Sequence, residues 1–104
     1  MALSAVNVAE FSPYMSEAVD AYIQANVDLG AKLGVHHVIT HAGLHQSSEQ
    51  ELRVKASLEH LQRNADYALK KGVMLLLENL NHEPDEAEVH YMGHSIEELR
   101  MYFD

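Results

Sequence analysis

The feature that most restricts what this chain can fold into is a repeated alternation of β-rich and helical stretches. Strand-like runs begin near residues 3, 36 and 73, about 35 residues apart, each followed by a helical pattern. Alternation at that spacing means parallel strands joined by right-handed crossovers. Leu3 to Val8 alternates apolar and polar residues, as a short strand does. Ser12-Pro13 breaks the run, and Ser16 is placed to cap a helix reaching about Leu33. On that helix Val19, Tyr22, Ile23, Val27 and Gly30/Ala31 recur at threes and fours and so share one face. Gly34 supplies a left-handed stop.

The second unit repeats the plan. Val35 to Thr40 is rich in β-branched residues and reads as a strand, with His41-Ala42-Gly43-Leu44-His45 as the turn after it. Ser48 and Glu51 form a capping box. The helix they open carries Val54, Leu58, Leu61, Ala65, Ala68 and Leu69 on one stripe and ends before Gly72. Val73 to Leu77 is an unbroken apolar run that reads as a strand buried on both faces. Asn79 to His94 reads as a polar loop. Ser95 and Glu98 form a second capping box before a helix with Leu99, Tyr102 and Phe103 on its apolar side.

This order predicts an α/β chain forming three consecutive βα units of a (β/α)8 barrel, a single partial domain over residues 1–104. A full barrel of about 250 residues uses roughly 31 per unit. Three units alone leave sheet edges open and an apolar face incomplete, so the expectation is a piece of a larger protein, or a protomer that depends on partners.

Composition narrows the function. With 47% hydrophobic residues, five glycines and two prolines in 104 positions, the chain has the profile of a globular domain. No apolar run approaches the roughly 20 residues of a membrane span, and no basic residue precedes an apolar stretch at the start, as a signal peptide requires. There are no cysteines, which excludes disulfides and thiolate metal sites and fits a cytoplasmic location. Seven basic residues against sixteen acidic give a net charge of −9, the wrong sign for a non-specific nucleic-acid binder. The balance suits a small-molecule enzyme, or a carboxylate-rich site for a cation. With eight histidines and no thiol, any metal is held by His, Asp, Glu or water.

Parallel α/β folds place their sites at the carboxyl ends of strands. His41 and Glu78 occupy two such ends. Alternate side chains share a face, so His41 lies with Ile39, and Glu78 with Met74 and Leu76. If those faces are the barrel interior, the imidazole and the carboxylate converge at its mouth and suit a divalent cation such as Zn²⁺ or Mn²⁺. Glu78 has a plainer reading as the first solvated residue after a strand, and His41 as a loop histidine bonded to a carbonyl. Asn7 ends the first strand, where it either faces the same mouth or caps the strand end. His36 and His37 read as structural, with at least one facing a helix. His60 reads as a surface residue. The acidic loop with His82, His90 and His94 reads as solvated, with a lid above Glu78 as the alternative. No phosphate loop, Gly-x-Gly-x-x-Gly or Gly-x-Ser-x-Gly is present.

Leu33-Gly34, a strand into His41-Ala42-Gly43, a capped helix, and Gly72-Val73-Met74-Leu75-Leu76-Leu77-Glu78-Asn79 together resemble the xylose-isomerase-like TIM-barrel superfamily, which includes sugar-phosphate isomerases and epimerases and the endonuclease IV group. The resemblance covers nearly the whole chain, as an internal segment. It implies that Glu78 is a metal ligand and, in the epimerase branch, an acid/base at the substrate carbon. It implies His41 as a zinc ligand in the endonuclease branch and a pocket residue in many sugar-acting members. Asn7, His45 and Asn79 are then pocket candidates. The implied cofactor is Mn²⁺, Mg²⁺, Co²⁺ or Zn²⁺, and the implied partners are a sugar or sugar phosphate together with the rest of the barrel or further copies of the chain. Two departures stand out: Asn7 lies near the place of an earlier strand-end histidine, and the later Asp, His and Glu ligands fall beyond Asp104.

Three functions follow. The first is a metal-dependent sugar or sugar-phosphate isomerase or epimerase, inactive as the isolated 104 residues. The second is a zinc-dependent abasic-site nuclease, which needs basic loops, whereas Arg53, Lys55, Arg63, Lys70 and Lys71 all fall on one helix. The third is a non-catalytic remnant that oligomerises through its sheet edges.

Overall fold

The computed structural model describes residues 7–46, 50–78, 89–92 and 95–103, with backbone only at 45–46, 89–91 and 98. Its elements are helix α1 (Pro13–Lys32), strand β1 (His37–Thr40), strand β2 (Leu44–Gln46), helix α2 (Gln50–Lys70), strand β3 (Met74–Leu77), strand β4 (Val89–Tyr91) and the short helix α3 (Ile96–Arg100). The fold is α/β. β1 and β3 are parallel neighbours, with His37 opposite Met74 and Thr40 opposite Leu77. The ladder continues past both ends, through Met74 N–H to the His36 carbonyl and Glu78 N–H to the Thr40 carbonyl, each 2.9 Å. No described helix is long and apolar enough to cross a membrane.

The apolar stripe of α1 is where the periodicity puts it: Val19, Ile23, Val27 and Gly30 are buried. Val19, Ile23 and Val27 join Val38, Val73, Ala68 and Val8 in the main core, between the two long helices and one face of the β1–β3 pair. Gly34, at φ 77°, turns the chain out of α1 as expected. The helix begins earlier than its expected cap, however. Pro13 starts it and an extended Ser12 precedes it, because proline's fixed φ and missing N–H suit the first helical position. The Ser16 hydroxyl instead lies 3.1 Å from His60 Nε2.

Several other expectations change. Residues 1–6, most of the expected first strand, lie outside the described residues, and Val8-Ala9 form a turn rather than its end. Ser48 of the first capping box also lies outside them. The turn expected over 41–45 gives way at Leu44 to β2, which pairs antiparallel with β4 from within the expected polar loop. That pairing joins segments far apart in sequence, which local periodicity does not register. β3 is not buried on both faces: Met74 is 50% and Leu76 39% exposed. The helices cover only the face carrying Val38, Thr40, Leu75 and Leu77, and nothing described covers the other. His36 and His37 are both exposed, so neither packs under a helix. Phe103 is 73% exposed, because α3 ends at Arg100 and a turn carries residues 101–103 outward.

The largest correction concerns α2. Leu69 is exposed, and the residues buried most deeply include Ser57, His60 and Asn64. His60 is 2% exposed rather than on the surface. Its Nδ1 lies 2.8 Å from Asp20 Oδ1 on α1, and its Nε2 3.1 Å from the Glu10 carbonyl. Asn64 donates to Asp20 at 2.8 Å, and Arg63 Nε donates to the other Asp20 oxygen at 2.9 Å. Gln24 closes the seam by donating to Asn64 Oδ1 at 3.1 Å. Buried polar groups persist when each finds a partner, and here the partners come from α1 and from Glu10 in the segment before it. Burial pushes the Asp20 carboxyl up, but the hydrogen bonds from His60, Asn64 and Arg63 outweigh it and hold the group below its ordinary value of 3.8.

Asp20 therefore releases its proton more readily folded than unfolded. Its contribution to stability is complete above the unfolded value and disappears as pH falls through the lower folded one. Asp20→Asn is expected to be less stable at neutral pH and to show a flatter loss of stability below about pH 4, followed by urea denaturation across pH. His60→Ala removes one donor from Asp20 and opens a cavity between the helices. It is expected to lower unfolding stability by about 1–3 kcal/mol in the same assay.

Candidate functional site

His41 and Glu78 are each the first residue past their strands. The β1–β3 register, carried one step beyond Thr40 and Leu77, sets them side by side. Both fall on the face of Ile39 and Leu76, away from the helices. His41 Nε2 lies 2.9 Å from Glu78 Oε1, with the imidazole 26% and the carboxylate 54% exposed. With the proton on Nε2, the ring donates to the carboxylate.

The short loop between β1 and β2 is held from three directions. The Ala42 carbonyl accepts a 2.6 Å bond from the Ser57 hydroxyl on α2, and the Gly43 carbonyl accepts one from Met92 N–H at 2.8 Å. Asn7 approaches from the other side. Its Oδ1 accepts from Leu44 N–H and Ala9 N–H, both at 3.0 Å, while its Nδ2 donates to the Leu44 carbonyl at 3.2 Å. Ala9, Ala42 and Met92 form a small fully buried cluster beneath this crossing. Gly43 has φ +102°, and a Cβ there would sit 2.5 Å from Asn7 Oδ1 and 2.6 Å from Ala9 N. Only glycine lets the loop pass so close to the 7–9 turn.

The His41–Glu78 pair fits a divalent cation as far as two donors can. A tetrahedral zinc with ligand bonds of about 2.0–2.2 Å holds its nitrogen and oxygen donors about 3.3 Å apart. The observed separation reaches that with an opening of a few tenths of an ångström. Among the described residues no group of three or more His, Asp or Glu side chains gathers to hold an ion. Of the other candidates, Asn7 lies under the rim with its amide bonded to backbone, and His45 lies in β2 with its Cα opposite that of His90. Asn79 is outside the described residues. A groove of about 410 Å³, lined by Leu58, Leu61, Leu75, Leu77 and Tyr102 among others, lies on the helix side of the sheet, away from the pair.

The model for the family of xylose isomerase-like TIM barrels matches residues 1–104. The chain belongs to the xylose isomerase-like TIM barrel family. A comparison with curated proteins finds no match. In a TIM barrel the carboxyl ends of the strands form the rim that carries the active site, and the bottom face serves stability. In this xylose isomerase-like chain the rim positions of both described parallel strands are the imidazole and the carboxylate. Ser57, Asn64 and His60 escaped the sequence reading because polar residues on a helix ordinarily mark its wet face. The one available signal was the i, i+3, i+4, i+7 spacing of Ser57, His60, Leu61 and Asn64, a second stripe beside the apolar one.

Gly43→Ala puts a Cβ into the space of Asn7 and Ala9 and strains the backbone by about 1–3 kcal/mol. Thermal melts are expected to show that loss, with the largest amide shift changes in a ¹H–¹⁵N spectrum falling on residues 7–9 and 41–44.

Proposed function

We propose that the chain forms part of a divalent-metal-dependent sugar or sugar-phosphate isomerase or epimerase, as three consecutive βα units of a (β/α)8 barrel. The observation that carries this reading is the meeting of His41 and Glu78 at 2.9 Å on the rim of adjacent parallel strands. In this reading His41 and Glu78 are two ligands of a Mn²⁺, Mg²⁺, Co²⁺ or Zn²⁺ ion. When bound, such an ion polarises the substrate carbonyl. Glu78 takes a proton from the carbon next to the carbonyl; an isomerisation returns it to the neighbouring carbon, and an epimerisation needs a second acid, from the completed barrel, to protonate the opposite face. Without the ion, His41 holds that carboxylate in place through its 2.9 Å contact. Asn7, His45 and Asn79 are assigned to the surroundings of the substrate.

The uncovered face of β1 and β3, with Met74, Leu76 and half-buried Ile39 open, supports a barrel whose other strands complete the wall. Those strands come from further chain or from other copies. Three or four protein ligands are the norm for a protein-bound zinc ion, and the described residues offer two. We place the remaining ligands in the completed barrel, and the isolated 104 residues are expected not to turn over substrate. A cytoplasmic location is part of the same proposal, consistent with the lack of cysteine.

The nuclease alternative gains nothing from α2, the helix that gathers most of the basic residues. Arg53 lies 3.6 Å from Glu10, Arg63 pairs with Asp20 at 2.9 Å, and Lys71 lies 3.9 Å from Asp28. Two cations of that helix, and Lys71 in the turn just after it, are thus turned toward the chain's own acids rather than toward a phosphate backbone.

Calorimetric titration of the purified chain with Zn²⁺ and Mn²⁺ tests the metal role. Weak binding is expected, reduced at least about tenfold by Glu78→Gln. No binding by the parent chain would defeat it. Assays against a panel of ketoses and against abasic DNA are expected to give no turnover with the isolated chain, and clear isomerase activity there would overturn the need for outside ligands.

A further inference from the structure

We propose that Asn7 is a positioning residue for the His41–Glu78 pair, its side-chain amide acting as a surrogate strand that fixes the loop carrying the imidazole. The proposal rests on the metal-site reading only for its functional consequence, since the geometric claim stands on its own.

A strand neighbour offers one acceptor and one donor to the residue opposite, and the Asn7 side chain offers both to a single residue. Oδ1 takes Leu44 N–H at 3.0 Å and Nδ2 reaches the Leu44 carbonyl at 3.2 Å, across a sequence separation of 37. The same Oδ1 takes Ala9 N–H at 3.0 Å, which locks the amide to its own turn. Leu44 is three residues from His41. Between them Ala42 is fully buried, its carbonyl bonded to Ser57, and Gly43 has no Cβ because Asn7 and Ala9 fill that space. The far end of the loop is thus pinned by Asn7 and its middle by Ser57. Its near end is fixed by the ladder bond from Glu78 N–H to the Thr40 carbonyl, 2.9 Å. His41 sits between pinned points, and the imidazole meets the carboxylate without a search. Removing the Asn7 amide frees Leu44 N–H and carbonyl together and lets the loop, with His41, move relative to Glu78.

The test uses the full chain with four substitutions: Asn7→Ala, Asn7→Asp, Asn64→Ala and Glu78→Ala. Asn64 lies in the α1–α2 seam and serves as a destabilising control away from the rim. The first readout needs no metal: the nuclear Overhauser effect between the His41 ring proton beside Nε2 and the Glu78 side-chain methylenes. It is expected to fall at least twofold in Asn7→Ala, to fall also in Asn7→Asp, which keeps both acceptor bonds but sets a carboxylate oxygen against the Leu44 carbonyl, and to remain in Asn64→Ala. Glu78→Ala provides the baseline with the contact absent. The second readout is Zn²⁺ affinity, expected to weaken about 10- to 100-fold in Asn7→Ala, the range for losing a group that orients a ligand.

An unchanged effect in folded Asn7→Ala, or an equal loss in Asn64→Ala, overturns the proposal. If Asn7→Ala does not fold, Asn7→Asp decides: a reduced effect supports the positioning role of the Nδ2 donor, and a full effect, with that donor replaced by a carboxylate oxygen, overturns it. A parent chain that shows the effect but takes no Zn²⁺ defeats the metal reading, while the ring-to-carboxylate measurement still decides the role of Asn7.

Discussion

The in-register parallel pairing of β1 with β3 is the constraint from which the rest of the structure follows. Two four-residue strands end level with each other, so the residues just past them are neighbours. A one-residue slip would move every side chain of one strand to the other face. His41 would then face a residue other than Glu78, and Val38 and Thr40 would leave the core. The same register that builds the apolar layer under the helices therefore builds the polar pair above the opposite face. Core and site are two readings of one alignment.

The helical layer solves a different problem. α1 meets the sheet with an apolar stripe, but it meets α2 through Asp20, Gln24, His60, Arg63 and Asn64. Such a seam costs desolvation and returns most of it only if every member is satisfied. What it adds is direction: hydrogen bonds with fixed donors and acceptors admit one rotation of α2 about its axis, where an apolar seam tolerates several. That rotation turns Ser57 toward the loop after β1 and aims Leu58 and Leu61 at the outer face of β3. Tyr67 extends the theme at the far end, donating to Asp28 at 2.8 and 3.1 Å; that bond holds its hydroxyl above its ordinary value of 10.0.

How much of this was legible depended on whether the controlling interaction was local. The stripe of α1 was readable because Val19, Ile23 and Val27 carry the helical period themselves. The convergence of His41 and Glu78 was readable because both follow apolar runs in successive units, and parallel units place such ends together. The start of α1 lies four residues ahead of its expected place, with Ser12 rather than Ser16 at the cap position, because Pro13 looks like a breaker in sequence and is the first residue of the helix. The burial of His60 was illegible because its partners Asp20 and Glu10 lie 40 and 50 residues away. The pairing of β2 with β4 was illegible for the same reason. The open face of β3 misled in a further way: an apolar run states what a strand would bury, not whether a neighbour is there to bury it.

The tight crossing of the 7–9 turn over Gly43 bears on how this family diverges. Ala9 and Gly43 are as small as their positions allow, and Asn7 fits the gap that remains. A larger residue at either small position evicts the amide, and a change at 7 does not free position 43, where a Cβ still meets Ala9 N at 2.6 Å and φ is +102°. Relatives should therefore hold glycine at 43 and vary at 7 and 9 together or hardly at all, so that drift in a turn more than 30 residues upstream of the loop is tied to the presence of a single glycine beside the rim.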